Sequence, residues 1–224
     1  MSTQGPIPKL KLLPYHHYRG NRRDDPLRFY YWPLIGILYR RRVELCLAQC
    51  TGGQRVLEVG FGSGATFLNL CDLYQEIHGL DLHAPVDEVA RVFETRHIRV
   101  HLRKGSILSM PYHGAYFDTV LLISILEHLK PDEQDKAFSE ISRILKPGGQ
   151  VVYGVPVERP LMEWMFRCLG YNIREHHFST EKDVFRAAAR SLEKVKIVEM
   201  RGAPSLLGPI YVVGHFRKDT SPMH

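Results

Sequence analysis

The stretch that decides the fold is Val56-Leu57-Glu58-Val59-Gly60-Phe61-Gly62-Ser63-Gly64. Its first four residues are mostly apolar and predict the end of a buried strand, and residues 65–73 after it predict a helix. Between them, three alternating glycines let the backbone approach a ligand without interference from a Cβ atom. Because a helix N-terminus also presents unpaired amide donors, this strand–loop–helix unit predicts a binding turn for a nucleoside-type ligand.

A carboxylate follows this loop at a spacing that supports the same interpretation. Asp81 lies 21 residues after Gly60, near the end of the next predicted strand. A carboxylate at that place can accept hydrogen bonds from both hydroxyls of a ribose. The loop also fits the pattern G-x-G-x-x-A through Gly60, Gly62 and Ala65, so the loop alone does not separate nicotinamide enzymes from other nucleoside binders.

The rest of the chain alternates strands with helices. The predicted strands are Arg55–Val59, Glu76–Leu82, Arg99–Arg103, Phe117–Ile125, Gln150–Val155, Val195–Met200 and Ile210–Phe216, and the predicted helices are Pro33–Gln49, Ala65–Leu73, Val86–Arg96, Pro131–Leu145, Leu161–Leu169 and Thr180–Leu192. Only nine residues join the last two strands, which is too few for a helical crossover, so this pair is predicted to be antiparallel. The predicted fold is α/β: a doubly wound, Rossmann-like sheet of about seven strands, mostly parallel with a C-terminal antiparallel strand, plus an N-terminal helical lid.

Composition and cysteine usage narrow the class of protein. The chain has 224 residues, of which 44% are hydrophobic and 24% charged, and these values exclude disordered and collagen-like chains. It has no apolar run of about 20 residues, the length of a membrane span, and no signal-peptide pattern at its N-terminus. The four cysteines lack metal-site spacing, so we expect reduced thiols, no metal and a cytoplasmic location.

The positive charge is concentrated at the N-terminus. Residues 1–50 contain nine Lys or Arg and three Asp or Glu, whereas the remaining residues contain 21 of each. A neutral body argues against a large nucleic-acid groove. Aromatic residues flanked by arginines in the N-terminal segment suit a substrate lid, peripheral membrane contact or simple packing. We therefore divide the chain into a basic segment and helix, a lid or cap, at 1–52, a main domain at 53–218 and a tail at 219–224.

Four sequence elements occur in a recognisable order: LEVGFGSG at 57–64, Asp81 in HGLDL, FDTVLLISILEHL at 117–129 and LKPGG at 145–149. Together they resemble the class I S-adenosylmethionine-dependent methyltransferases, and in particular the small-molecule branch of ubiquinone and menaquinone biosynthesis. The resemblance implies S-adenosylmethionine as cofactor. It also implies methyl transfer by in-line displacement to an oxygen, nitrogen or carbon nucleophile.

The same resemblance implies a set of cofactor-binding residues. These are Glu58, Gly60, Phe61, Gly62, Gly64, Asp81, Leu82, Ser106, Ile107 and Ser124. Asp81 resembles the ribose ligand, and Leu82 resembles a residue that packs on adenine. Ser106 departs from the pattern, because many relatives have Asp there; a serine can donate or accept a hydrogen bond but carries no charge.

Histidines are the candidate general bases, since an oxygen or nitrogen nucleophile can require one. His128 follows the central strand, and its alternative role is to hold the following loop by hydrogen bonds. His177 is the second candidate base. Its neighbour His176 is placed with Tyr18, Tyr31 and Trp164 among candidate acceptor-binding residues. Adjacent histidines point in different directions in a helix or strand, so we expect at most one of the 176–177 pair to reach the cleft.

The methyl acceptor is predicted only by class. The central strand lacks the Asn/Asp-Pro-Pro-aromatic loop typical of enzymes that methylate nucleic-acid bases or protein amides, which favours a small or lipid-like acceptor. Two alternatives to an active methyltransferase stay open from sequence alone. One is an NAD(P)-dependent oxidoreductase with the same glycine loop, and the other is a non-catalytic methyltransferase-like protein that binds S-adenosylmethionine.

Overall fold

The computed structural model describes residues 6–18, 25–157, 178–201 and 208–220. The predicted helix 161–169 and the candidate residues Trp164, His176 and His177 lie outside these ranges.

Within the described residues, seven strands form one mixed sheet in the order β3-β2-β1-β4-β5-β7-β6. They are β1 (Gly53–Val59), β2 (Tyr74–Asp81), β3 (Val100–Lys104), β4 (Phe117–Ile123), β5 (Leu145–Pro156), β6 (Glu193–Arg201) and β7 (Pro209–Arg217). The first five strands pair in parallel, and β7 runs antiparallel to both β5 and β6. The predicted doubly wound sheet and its antiparallel C-terminal pair are both confirmed.

Helices cover both faces of this sheet. They are α1 (Ile35–Leu47), α2 (Phe67–Leu70), α3 (Val86–Glu94), α4 (Pro131–Ile144) and α5 (Glu181–Ser191), with 3-10 helices at Tyr15–His17, Pro26–Tyr31 and Leu126–His128. Among the described residues, none of these helices is long and apolar enough to cross a membrane.

The central strand β4 shows why a two-sided core forms. Leu121 packs into the cluster of α1, α2 and α3, whereas Val120 and Leu122 pack into the cluster of α4 and α5. Side chains alternate between the two faces of a strand, so a strand covered on both faces is apolar throughout. The nearly continuous apolar run of β4 follows from this position.

The helix after the glycine loop is much shorter than predicted. The sequence predicted Ala65–Leu73, and the structure forms α2 only over Phe67–Leu70. The chain leaves the helix early because the carbonyl of Leu73 accepts the amide of Gly53 at 3.1 Å, which brings residue 73 beside the start of β1. Apolar periodicity cannot report this contact, because it depends on a partner 20 residues away.

The first described residues are fixed along the helical surface by hydrogen bonds. The side-chain amide of Asn69 accepts the Lys11 N–H at 2.8 Å and donates to the Lys9 carbonyl at 2.9 Å. The Leu10 N–H donates to Glu44 at 3.1 Å. Leu10 and Leu13 are buried in the main core, so this part of the N-terminal segment packs on the domain.

Candidate active site

The glycine loop leaves β1 through three left-handed backbone conformations. Gly60, Gly62 and Gly64 have φ values of 73°, 52° and 75°. These angles are easily adopted only by glycine. Space is also limiting at Gly60, where a Cβ atom would lie 2.0 Å from the Ile125 side chain. All three glycines are therefore required by the backbone angle, and Gly60 also by the close approach of Ile125.

Asp81 lies at the end of β2 and closes this loop. Its Oδ2 accepts the Gly62 N–H at 3.0 Å, and its Oδ1 accepts the amides of His83 and Ala84 at 2.8 Å each. An ionised carboxylate offers about four lone-pair sites, so one site remains on Oδ2 for a ligand hydroxyl. A second hydroxyl would have to replace the Gly62 amide as a donor.

Glu58 lies beneath the loop and is buried. Burial raises the pKa of its carboxyl group to about 8; the Thr66 hydroxyl, which donates to it, lowers that pKa, and the nearby charge of Asp81 raises it. At neutral pH this group is therefore mostly protonated. A cationic ligand beside it would favour the ionised form, since an opposite charge lowers the pKa of an acid.

The N-terminal segment reaches the same loop. Asp25 caps the 3-10 helix Pro26–Tyr31 by accepting the Leu27 N–H at 2.8 Å. Its other oxygen lies 3.1 Å from the position that a Cβ atom on Gly62 would occupy. Together with Glu58 and Asp81, it makes three carboxyl groups around one loop, which is an electrostatic setting suited to a ligand with positive charge.

A polar cluster around the predicted cofactor residue Ser124 lies at the carboxyl end of β4, beside the start of β7. Ser124 has a left-handed φ of 57°, its N–H donates to the Gly154 carbonyl at 2.8 Å, and its Oγ is 3.1 Å from the Tyr211 hydroxyl. The guanidinium of Arg42 lies 4.0 Å from the centre of the Tyr39 ring and 5.4 Å from that of Tyr211. Arg42 Nε is buried and has no hydrogen-bond partner among the described residues.

Sequence reasoning missed Arg42 and Tyr211 for different reasons. Arg42 belongs to a run of three arginines, a pattern that is typical of solvent-exposed charge. Its position around the axis of α1 nevertheless directs its side chain toward the protein. Tyr211 is brought to the site by the antiparallel register of β5 and β7, in which it pairs with Pro156. The helical phase could have suggested Arg42, whereas no local signal points to Tyr211.

The remaining predicted cofactor residues lie at the carboxyl edge in different environments. Phe61 is buried, and its ring centre lies 5.9 Å from that of Phe67. Ile107 is also buried, and Ser106 Oγ accepts the Leu108 N–H at 3.2 Å. Leu82 is 51% exposed, so its side chain has surface available for a ligand ring.

The predicted catalytic and acceptor residues are more scattered. His128 is exposed at the end of the 3-10 helix that follows β4. The Tyr18 hydroxyl accepts the Leu13 N–H at 3.2 Å, and the Tyr31 hydroxyl donates to the Leu13 carbonyl. Both tyrosine hydroxyls thus hold the N-terminal segment together in this structure.

Comparison with known proteins gives consistent matches. A family profile described as a methyltransferase domain matches residues 57–153. The chain is 32% identical over 120 residues to a probable S-adenosylmethionine-dependent methyltransferase of Mycolicibacterium smegmatis, covering 54% of this chain and 43% of that protein. It is 30% identical over 138 residues to a demethylmenaquinone methyltransferase of Lactiplantibacillus plantarum, covering 56% and 57%. The chain thus spans about half the length of these relatives.

A solved structure extends the likeness beyond the matched sequence. The N-methyltransferase NodS of Bradyrhizobium japonicum, in complex with S-adenosyl-L-homocysteine, aligns with a TM-score of 0.64 at 20% identity. The alignment covers 88% of this chain and 93% of NodS. At such identity the likeness shows the fold alone. The resemblance to class I methyltransferases, including the menaquinone type, is confirmed.

Proposed function

We propose that this chain, whose residues 57–153 match the profile of a methyltransferase domain, transfers a methyl group from S-adenosylmethionine to an oxygen, nitrogen or carbon nucleophile of a small or lipid-like molecule. The observation that carries the proposal is the left-handed glycine loop at the end of β1, closed by Asp81 of β2. The relatives named above act as further support, because their names describe methyltransferases.

The residues around the loop fit S-adenosylmethionine in shape and charge. When bound, this cofactor supplies a methyl group made electrophilic by a sulfonium. The carboxyl groups of Asp25, Glu58 and Asp81 would complement its positive charges, and the remaining lone pair of Asp81 would accept a ribose hydroxyl. Gly60, Gly62 and Gly64 would keep the backbone close to the methionine half, and the exposed surface of Leu82 would pack on the adenine ring.

The chain's own contribution to catalysis is positioning and exclusion of water. Residues 1–52 would act as a cap over the main domain 53–218, since Asp25, which caps the 3-10 helix Pro26–Tyr31, lies against the glycine loop at Gly62. Holding a nucleophile in line with the transferred methyl group requires an approach of about 3–3.5 Å. The acceptor would be held by Tyr18 and Tyr31 of the cap together with Trp164 and His176.

His128 is the proposed general base for an oxygen or nitrogen acceptor, with His177 as the second candidate. Only a neutral imidazole accepts a proton, and in this role His128 would take the proton that the acceptor loses. Replacing His128 with alanine should lower kcat by ~10²–10⁴-fold while the affinity for S-adenosylmethionine stays unchanged. A near-normal kcat in this variant would rule out His128 as the base.

A binding experiment separates the proposed function from its alternatives. S-adenosylmethionine and S-adenosylhomocysteine should raise the melting temperature of the full chain, whereas NADH and NADPH should not, because only a ligand of the folded state stabilises it. Stabilisation by NADH or NADPH alone would favour the oxidoreductase. Binding of S-adenosylmethionine without methyl transfer to any small acceptor, including quinone precursors, would favour the non-catalytic alternative.

Peripheral membrane contact is a second proposed property, supported by an apolar surface at the start of α1. Trp32, Leu34 and Ile37 are 49%, 81% and 65% exposed, and the exposed Arg28 and Arg40 lie in the same segment. Apolar side chains beside arginines suit the interface of an anionic bilayer, where the former insert and the latter meet lipid headgroups. This contact would place the cap at the source of a lipid-like acceptor.

Vesicle sedimentation tests this property without removing the buried part of the cap. The double variant Leu34→Ser/Ile37→Ser should lose binding to vesicles of phosphatidylcholine and phosphatidylserine, and salt should weaken binding of the intact chain. Val195→Ser serves as the matched control, because Val195 is an exposed apolar residue of β6. Equal binding by the double variant and the control would contradict membrane contact through this surface.

A further inference from the structure

Three side chains with metal-binding chemistry share one face of the sheet, away from the glycine loop. Glu76 and His78 are two residues apart on β2, and His101 of β3 is the register partner of His78. Residues two apart on a strand point to the same face, and register partners on adjacent strands do so as well. Glu76 and His78 precede Asp81, which ends β2 at the cofactor-side edge, and His101 lies three residues before the end of β3.

The donor atoms of these residues are close enough to share one ion. One ligand atom from each of the three lies within 4.8 Å of the others. His78 Nε2 is 3.4 Å from Glu76 Oε2, and the two histidine rings stack with centres 4.7 Å apart. Bonds of about 2.0–2.2 Å from zinc to imidazole nitrogen and carboxylate oxygen place two donors about 3–4 Å apart. Only small side-chain movements are therefore needed.

The surroundings fix one ligand and leave another accessible. His78 is buried, with its ring centre 5.6 Å from that of Tyr116 and 5.2 Å from that of Phe117, both at nearly right angles. His101 is exposed, so an ion can approach from solvent on its side.

Arg55 of β1 is a positively charged neighbour of the cluster, and it already forms an ion pair with Glu76. Its Nε donates to Glu76 Oε2 at 2.8 Å, and its Nη2 donates to Oε1 at 3.4 Å. A carboxylate has about four lone-pair sites, so Glu76 can keep a bond to Arg55 while it contributes one lone pair to an ion. A hydrogen bond of this kind also orients a metal-ligating carboxylate.

We propose that Glu76, His78 and His101 form a binding site for a divalent transition metal ion of the zinc type, which joins the edge strand β3 to β2. Two imidazoles and one carboxylate are a donor set that such ions accept, with water completing the coordination. The site is independent of the methyl-transfer chemistry. Its effect is structural, because β3 is an edge strand and a shared ion adds a cross-link between the two strands.

Zinc and cobalt binding to the full chain, freed of metal by a chelator, tests the proposal. We expect one equivalent of Zn²⁺ by calorimetry, a rise in melting temperature, and a visible absorption band with Co²⁺. His101→Ala and Glu76→Gln should each weaken Zn²⁺ binding at least about tenfold and reduce the rise in melting temperature. Because His101 is exposed, its replacement leaves the core intact.

The exposed His113 provides a matched control, since His113→Ala removes a surface histidine outside the cluster. This variant should bind Zn²⁺ as the intact chain does. The proposal fails if the intact chain binds no Zn²⁺ at about 1 mM. It also fails if His101→Ala and Glu76→Gln bind with unchanged affinity, or if His113→Ala weakens binding as much as His101→Ala.

Discussion

Asp81 at the end of β2 and Asp118 near the start of β4, the two strands that flank β1, show how the carboxyl and amino-terminal edges of the sheet differ. Asp118, near the start of β4, accepts the amides of Gln54 and Arg55 at 3.0 and 2.7 Å and the Lys146 ammonium at 2.7 Å. Although desolvation raises the pKa of Asp118, the Lys146 and backbone donors lower it more, so the net direction is down. The three donors described for Asp81 are all backbone amides.

The difference lies in charge rather than in the number of hydrogen bonds. Each carboxylate accepts three hydrogen bonds, but the negative charge of Asp118 is matched by a lysine within the protein. At the carboxyl edge the described donors to Asp81 carry no formal charge, and Glu58 is held protonated by burial. The amino-terminal edge is thus complete as folded, whereas the carboxyl edge gains from a ligand that brings positive charge and hydroxyl groups.

The largest expected effect comes from a side chain placed in the loop itself. Gly62→Val should weaken S-adenosylhomocysteine binding by more than about 100-fold, because valine resists a φ of 52° and its Cβ would crowd Asp25. Calorimetry measures the affinity. Gly114→Val is the control in an exposed loop, where a Cβ atom meets only an ordinary contact at 3.4 Å. Similar affinity losses in both variants would mean that the loop is not the binding site.

The two aspartates provide the direct test of the difference between the edges. Asp81→Asn should weaken S-adenosylhomocysteine binding by about 1–3 kcal/mol, since the amide nitrogen cannot accept a hydroxyl. Its effect on stability should be smaller, because Oδ1 keeps the His83 and Ala84 amides and only the hydrogen bond from the partly buried Gly62 amide is lost. Asp118→Asn should do the reverse: it should lower the free energy of unfolding by about 1 kcal/mol or more and leave the affinity unchanged. Urea denaturation measures the free energy of unfolding of both variants, and calorimetry measures their affinity for S-adenosylhomocysteine. If both variants lost stability and affinity to the same extent, the proposed difference between the two edges would be wrong.

The last expected effect is a change in how stability depends on pH. The pKa of Glu58 is raised from 4.5 to about 8 in the folded chain, so between these values the folded state binds more protons than the unfolded state. Stability from this group is therefore complete below pH 4.5 and is lost as the pH rises through about 8. The contribution to the slope is at most about 1.4 kcal/mol per pH unit.

Glu58→Gln should remove this contribution. The free energy of unfolding of the variant, measured by urea denaturation at several pH values, should fall less between pH 4.5 and 8 than that of the intact chain. Identical slopes would mean that Glu58 titrates normally and is not held protonated by its burial.

Local pattern was sufficient for most of the fold. The apolar run of β4, the alternation of strands and helices, and the short link between β6 and β7 each reflect short-range constraints, and the sheet confirms all three. The length of α2 was wrong because the Gly53–Leu73 contact ends it. The sequence pattern therefore located the strands and helices well. It failed where a contact with a residue distant in sequence determines the end of an element.

The residues of the candidate site also differ in whether local sequence or long-range contacts place them. Gly60, Gly62 and Asp81 were predictable because a tight turn and a strand-end acid follow from residue type and spacing. Tyr211 was not, because strand register across 87 residues places it beside Ser124. Asp81 also has a second role that the sequence did not indicate, because its oxygens accept hydrogen bonds from loop amides. This role depends on the folded path of the loop and not on its composition.

Asn69 holds Lys9 and Lys11 through their main chains, and this has a consequence for how the chain diverges. An amide side chain that bonds only to a carbonyl and an N–H places no demand on residue type at the two positions it holds. Mutations at positions 9 and 11 can therefore accumulate without altering the route of the chain. The exception is proline at position 11, which would remove the N–H donor. Homologues of this protein should therefore keep the path of this segment even where its sequence has diverged too far to align. The asparagine at position 69 should be the residue that they retain.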